Sequence, residues 1–406
     1  MRTVELLSPA GDREKLEMAL AYGADAVYMA GKSYGLRMGA GNFAPDELRE
    51  AIALAHRKGA RAYVTVNTVP RERELDGIGE FCALCEDCGA DALILSDAGV
   101  LSIAKRRAPS VAVHMSTQAG ITNSASAELW HSLGAQRVIL ARELSVEEIA
   151  EIRAHVPAEL ELEVFIHGAM CVSFSGRCLL SDYMTGREGN RGECAQPCRW
   201  RYALMQSEKP GEFFEVEEHA EGSYILNSRD LCGIEQIGAL VTAGVDSLKI
   251  EGRSKSAYYA GAVTSVYRRA LDDCLAGKTV DPALLEELDR VSHRPYCTGF
   301  LVPVNGTRQF YQESRYVRDW EVCAIVEESD GASVTVAMKN PFRVGELLEL
   351  LCPGGAPREV RVEKIWELDE LGEETAVDAA MRNQRRYRIL LDGAPRYSML
   401  RKPKKD

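Results

Sequence analysis

Along the first 250 residues the chain repeats one arrangement: an amphipathic stretch, a glycine, then a short apolar run. The runs are GADAVYMA from Gly23, GARAYVTV from Gly59, GADALILS from Gly89, GAQRVILA from Gly134 and GVDSLKIE from Gly244. Glycine tolerates the left-handed backbone that ends a helix. Runs of Val, Ile, Leu and Ala that are apolar on both faces read as buried parallel strands. Between them, DREKLEMALAYG opens at Asp12, a helix-capping residue, and closes at Gly23. APDELREAIALAHRKG and SVEEIAEIRAHV follow the same helical period. The pattern predicts eight strands, at 4–7, 26–30, 62–66, 92–95, 111–114, 137–141, 162–166 and 247–251. Eight β/α units in about 250 residues predict an α/β fold, a TIM-type (β/α)8 barrel. A doubly wound open sheet is the rival. No G-x-G-x-x-G follows the first strand, which lowers a dinucleotide-binding version of it.

After the seventh strand the pattern breaks. Residues 169–230 form a long insertion, within which Arg201–Gln206 and Tyr224–Asn227 could pair as a hairpin. The barrel with its insertion is expected to occupy 1–278, closing on a helix over 255–277, with a connector at 279–320. From Glu321 the period shortens to alternating strands: VCAIVEE, SVTVAMK, ELLELLC, EVRVEKIW and RRYRILL. This predicts a small C-terminal β-barrel domain over 321–406, ending in a basic tail.

A barrel of this kind carries its chemistry at the C-terminal ends of its strands. Those ends are polar here. They include Asn67, His114, Arg142-Glu143, His167-Gly168 and Glu251-Gly252-Arg253. For any one of them a cap or a loop hydrogen bond is the plainer role, and their convergence on one rim is the test.

Composition narrows the class. The 406 residues carry 49 basic and 61 acidic side chains, a net charge of −12. That argues against a general nucleic-acid coat. No apolar run approaches the length needed to span a bilayer, and the N-terminus lacks a signal-peptide core. The chain reads as soluble and cytoplasmic. Twelve cysteines without a secretion signal point to metal or redox chemistry rather than disulfides.

Four of them fall within 28 residues, as Cys171-x6-Cys178-x15-Cys194-x3-Cys198. The stretch holds Gly176, Gly186, Gly189, Gly192 and Pro197, a loop able to fold around a cluster. Four thiolates suit a [4Fe–4S] cluster or a structural zinc. Zinc ribbons pair close knuckles, and only Cys194 and Cys198 are that close, so the iron–sulfur cluster is the first reading. Arg177, Arg187, Arg191, Arg199 and Arg201 would offset its negative charge. Cys232 is an alternative fourth ligand in place of Cys198. Cys82, Cys85 and Cys88 lie on a helix leading into the fourth strand, and read as buried packing residues.

At these residues the sequence resembles peptidase family U32, the collagenase-like group. The matching stretches are ELLSPAGDREKLEMALAYGADAVY, EVFIHGAMCVSFSGRCLLSDYMTGREGNRGECAQPCRW, NSRDL, SLKIEGRSKSAYY and SHRPYCTGF. KNPFRVGE in the C-terminal part also looks like the family's. The resemblance implies oxygen-independent hydroxylation with a [4Fe–4S] cluster on Cys171, Cys178, Cys194 and Cys198. The branch it looks most like makes 5-hydroxyuridine at the wobble position of tRNA, with prephenate as hydroxyl donor. Other branches hydroxylate a ribosomal RNA cytidine or a ubiquinone precursor. Some branches take their fourth cysteine near the NSRDL segment, which keeps Cys232 in play. A paralogous partner subunit is a further expectation.

The family's name is tested by its residues. There is no G-x-S-x-G and no H-E-x-x-H. A Cys171–His167 dyad is the remaining route to proteolysis, and it leaves three cysteines unexplained. For the hydroxylase, His114, His167, Arg142, Arg229 and Arg253 are the candidate rim residues, the arginines suited to a dicarboxylate such as prephenate. The tRNA needs a basic surface. Residues 382–406 hold nine Lys/Arg against two Asp, including Arg382, Arg385, Arg386, Arg388 and Lys402, interleaved with Tyr387 and Tyr397. A solvated basic tail on an edge strand is the alternative.

Overall fold

Each of the five repeated glycines takes a positive φ, from +76° at Gly59 to +102° at Gly134, so each helix ends where its sequence says. The structure is a computed structural model and describes residues 3–36, 41–174, 176–200, 204–205, 213–214, 227–302, 316–383 and 385–404. Eight parallel strands close a barrel: β1 (Glu5–Pro9), β2 (Ala26–Met29), β3 (Arg61–Val66), β4 (Ala92–Leu95), β5 (Ala112–Met115), β6 (Arg137–Ile139), β7 (Glu161–Ala169) and β8 (Ser247–Ile250). Closure comes from β8, which pairs in parallel with both β7 and β1. Helices α1 (Arg13–Ala21), α2 (Pro45–Arg57), α3 (Leu75–Asp87), α4 (Ala98–Arg107), α5 (Ser124–Ser132) and α6 (Val146–His155) link the first seven strands. Asp12 caps α1 by accepting from the Lys15 N–H at 3.0 Å.

Between β7 and β8 lie α7 (Leu180–Thr185), a short strand Asp230–Cys232 antiparallel to the end of β7, and α8 (Ile237–Thr242). Within the segment of the expected hairpin, Leu204–Met205 pairs with Phe213–Phe214. Residues 201–203, 206 and 224–226 of that expectation lie outside the described residues. Helix α9 (Ala257–Leu275) packs on α1, and the connector contains a helix of its own, α10 (Ala283–Asp289).

The C-terminal part is an antiparallel sheet on its own core. Its strands are β9 (Trp320–Ser329), β10 (Ser333–Met338), β11 (Leu347–Leu351), β12 (Arg358–Arg361), β13 (Ile365–Leu368), β14 (Glu374–Val377), β15 (Arg386–Leu390) and β16 (Met399–Pro403). Their order is β12-β11-β16-β9-β10-β15-β13-β14. The stretch read as a basic tail is therefore β15 and β16, each between two neighbours inside the sheet. The sheet is fastened to the barrel by Arg401, fully buried, which bonds Glu287 of α10, Glu349 of β11 and the Tyr258 hydroxyl.

Alternation along the barrel strands places charge, not aliphatic bulk, in the lower interior. Arg137 donates to Glu5 at 2.6 Å, to Glu161 at 2.7 Å and to Glu163 at 2.9 Å. The other Glu163 oxygen accepts from Lys249 at 2.8 Å. The Tyr63 hydroxyl donates to Glu5 at 2.6 Å, and its ring meets His114 edge-on. Burial alone would raise the Glu163 pKa, but Lys249 and Arg137 outweigh it and hold the carboxyl below its ordinary value. Removing one partner leaves an uncompensated buried charge. Arg137→Met is expected to destabilise the protein by about 3–5 kcal/mol. The check is the urea midpoint at neutral pH, and an unchanged midpoint would show that the network adds nothing.

Candidate functional site

Above the charged layer the barrel opens into a pocket of about 600 Å³, counted with the solvent at its mouth. Strand ends build it, as the fold requires. Tyr28, Ile94, Ile139, Phe165 and Lys249 make the floor, and Asn67, Ser116, Gln118, Arg142, Glu251 and Arg253 rise around it. Lys249 at the end of β8, and Glu251 and Arg253 just beyond it, all line the pocket. The Lys249 ammonium lies 4.5 Å from the Tyr28 ring centre.

Two guanidinium groups flank the cavity. Arg253 is buried and donates to the Thr65 hydroxyl at 2.8 Å. Arg142 donates to the Ala169 carbonyl at 2.9 Å and lies over the Phe165 ring, and its buried Nε has no partner among the described residues. The Glu251 carboxylate accepts from the Tyr28 hydroxyl at 3.3 Å. Two guanidiniums, a lysine floor, one carboxylate and several hydroxyls suit a small polyanion with hydrogen-bonding groups.

The cysteine loop starts two residues beyond β7 and packs on this pocket. At Gly176, φ is +76°, and a Cβ there would come within 2.5 Å of the carbonyl of Gln118 in the pocket wall. Only glycine allows that approach. Arg191 ties the far side of the loop to the barrel through Glu74, at 2.5 Å, and the Val69 carbonyl. Arg294, buried in the SHRP stretch, holds the base of the loop. It pairs with Asp230 at 2.6 Å and reaches the Met170 carbonyl at 3.3 Å.

Cys171 is exposed, and Cys178, Cys194 and Cys198 are half-buried. Burial, then the sulfurs of Cys171, Cys194 and Cys178, push the Cys198 thiol up, against the pull of Arg199. Among the described residues no three His, Cys, Asp or Glu side chains stand converged as a metal site. In kind, four thiols on one loop are the donors that a thiolate-ligated group takes.

Cys232 stands apart. It pairs with His167 on the antiparallel ladder and lies 3.8 Å from the Tyr267 hydroxyl of α9. Burial pushes its thiol up to about 11, and Glu235 and Asp289 push the same way. Cys82 and Cys85 are fully buried and Cys88 nearly so, as packing residues are.

Of the five expected rim residues, Arg142 and Arg253 line the pocket. His114 lies beneath the floor, and Arg229 is half-buried beside Asp230–Cys232, outside the pocket lining. His167 faces α9, with Nδ1 at 3.2 Å from the Tyr267 hydroxyl. Among the described residues its Nε2 has no partner, and no Cys171–His167 dyad forms among them. Sequence reasoning passed over Lys249 and Arg294, each a charge inside an apolar or loop stretch and each legible only as an expected exception to burial.

Much of the basic stretch is paired with acids where it stands. Arg386 pairs with Glu327, Arg388 with Asp330 and Glu374, Arg382 and Arg385 with Glu367, and Lys402 with Glu346. In β15 the alternation turns Tyr387 and Ile389 inward and the arginines outward, opposite acidic neighbours. Lys405 and Arg201 lie outside the described residues.

A family model described as Peptidase family U32 matches residues 11–309, and one described as Peptidase family U32 C-terminal domain matches residues 318–401. The tRNA hydroxylation protein P of Escherichia coli is 39% identical over 395 residues, covering 86% of each chain. The tRNA hydroxylation protein P1 of Bacillus subtilis is 38% identical, covering 90% of this chain and 87% of that one. A 23S rRNA 5-hydroxycytidine synthase of Escherichia coli is 39% identical over 269 residues, 66% of this chain and 39% of its own.

Two of the buried histidines, His114 and His167, set a pH limit on stability. Burial, reinforced for His114 by Arg137 and Lys249, lowers its pKa well below 6.5, and burial pushes His167 down to about 3. Folded values below the unfolded value mean that the unfolded chain binds more protons. Stability is full above pH 6.5 and falls as pH drops, by about 1.4 kcal/mol per pH unit per histidine. Between about pH 6 and 5, above the carboxylate range, His167→Phe is expected to remove about half of that slope. Urea midpoints across this window check it, and an unchanged slope would refute the assignment.

Proposed function

The chain belongs to peptidase family U32, and on that footing we propose that it is an RNA-modifying hydroxylase rather than a peptidase. Its first-choice substrate is the wobble uridine of tRNA, converted to 5-hydroxyuridine. The observation that carries the reading is the pairing of Arg142 and Arg253 around a pocket that touches the four-cysteine loop. A peptidase needs a nucleophile beside a base, and His167 is turned away from Cys171. The names of the relatives support the same choice.

In this reading the pocket takes the hydroxyl donor. A dicarboxylate such as prephenate would set one carboxylate on each guanidinium, in the charge-assisted contacts such groups favour. Lys249 adds positive charge from below, and Glu251 with the Tyr28 hydroxyl is placed to hold or move a proton. The base C–H becomes C–OH while the donor's C–OH becomes C–H, so no external oxidant is required. Cys171, Cys178, Cys194 and Cys198 would hold a [4Fe–4S] cluster, with Arg199 offsetting its charge. Such a group supplies electron-transfer or Lewis-acid chemistry beside the pocket when bound.

Two measurements test this. Deleting the gene, in a strain without a paralogue, is expected to remove 5-hydroxyuridine-type nucleosides from bulk tRNA. Unchanged nucleosides would sink the substrate assignment. Anaerobically purified protein is expected to contain iron and sulfide that Cys171→Ala or Cys198→Ala abolishes and Cys232→Ser leaves in place. Zinc without iron would replace the cluster with a structural metal, and loss on Cys232→Ser would reinstate that residue as the fourth ligand.

A further inference from the structure

A second cavity, of about 1640 Å³ with its open mouth included, lies between the barrel and the C-terminal sheet. The reaction proposed above leaves it without a role. Five cations line it: Lys15, Lys255, Arg318, Lys339 and Lys404, against two carboxylates, Glu14 and Glu321. This is a local excess of positive charge on a chain of net charge −12. Lys339 pairs with Glu14 and Lys15 with Asp12, but among the described residues neither Arg318 nor Lys404 has an acidic partner.

Aromatic side chains stand among these cations. The Lys255 ammonium lies 3.9 Å from the Tyr316 ring centre, and Arg290 backs the Trp320 ring at 4.7 Å. Both rings are half-buried and keep part of their surface open to the cavity. Alternating cations and ring faces match the demands of a nucleic-acid strand whose bases are unpaired, with phosphates on the first and bases on the second. A purely anionic protein partner would use the cations and leave the rings idle.

The cavity also touches both parts of the reaction site. The Lys15 ammonium donates to the backbone carbonyl of Arg253 at 3.3 Å, and the Arg253 side chain lines the pocket. Arg199, next to Cys198, donates to the Tyr316 hydroxyl at 3.0 Å. A strand lying in the cavity could turn one base into the barrel mouth, as enzymes acting on a base must arrange.

We propose that this inter-domain cleft seats the single-stranded loop of the RNA substrate, with Arg318 and Lys404 on phosphates and Tyr316 and Trp320 stacking on bases. The proposal rests on the RNA hydroxylase reading and locates its substrate. It displaces the outer face of β15 from that role, because the arginines there are already paired with acids.

The test is fluorescence anisotropy of full-length protein with labelled tRNA, across a salt series. Arg318→Glu/Lys404→Glu is expected to weaken binding by about tenfold or more and to lower the salt slope by about one per cation removed. Tyr316→Ala is expected to weaken binding roughly tenfold with the slope unchanged. Arg386→Glu/Arg388→Glu is expected to stay within about twofold of the parent. Far-ultraviolet circular dichroism and iron content, matched to the parent, establish that the variants fold. Cleft variants that bind as the parent does, or a β15 variant that loses as much, overturn the seat. If the parent still hydroxylates tRNA in that case, the hydroxylase reading stands. A parent that neither binds nor modifies tRNA removes that reading and the seat with it.

Discussion

Charge buried in the lower half of the barrel is the constraint on which the site depends. Two carboxylates, Glu5 and Glu163, meet two cations, Arg137 and Lys249, with the more exposed Glu161 and Arg61 at the edge of the set. In a low-dielectric interior an unpaired member would cost several kcal/mol, so the set is stable only when complete. Completion requires β1, β3, β6, β7 and β8 to hold one register. A slip of one residue would turn these side chains outward and bring aliphatic ones in. The same set holds Lys249 between Tyr28 and Phe165, where it becomes the pocket floor. The barrel is therefore not a neutral scaffold with a site added on top. Its interior ion network is the underside of the site.

The barrel was legible because each unit repeats a helix stop and an apolar run, and both have simple physical causes. The strand interiors were less so. ELEVFIHG and SLKIEG read as apolar runs, and the single Glu163 or Lys249 inside each was easy to absorb into that reading. Only closure of the barrel shows that the two charges sit 2.8 Å apart. The cysteine loop was legible from spacing, since four thiols on a glycine-rich turn have few other uses. The histidines were misplaced for a related reason. A strand end has two faces, and sequence alone did not say that His167 turns to α9 while Arg253 turns to the pocket. Net charge along the chain did not show the setting of β15, whose Arg386 and Arg388 stand beside acids from β9 and β14.

The joint between the two parts of the chain repeats the principle of the barrel interior. Arg401 is fully buried between two carboxylates from different parts, Glu287 and Glu349, and Arg290 reaches Glu349 as well at 2.6 Å. The Tyr22 hydroxyl of α1 donates to the Leu351 carbonyl at 2.8 Å, and Val322, Ile325 and Met399 join the barrel's apolar core. A joint sealed by paired charge and apolar contact has little freedom to swing. The cleft beside it is thus a fixed wall-to-wall space, which suits a substrate recognised by shape and stacking rather than by closure of a lid.

Two anionic ligands of different size would have to be kept apart and yet brought together at one atom. The residues 249–259 divide that task. Their first part carries Lys249, Glu251 and Arg253, which line the pocket. The chain then turns, and Lys255 and Tyr258 face the cleft before α9 continues. The Tyr259 hydroxyl donates back to the Glu251 carbonyl at 3.0 Å and Lys15 to the Arg253 carbonyl, so the turn is braced from the cleft side. In the proposed reading a small dianion would sit deep, between guanidinium groups of fixed orientation. A polymer would sit outside, where lysines and rings tolerate many sequences. The wall between the two is only a few residues thick, and a base turned out of its stack would have to cross no more than that.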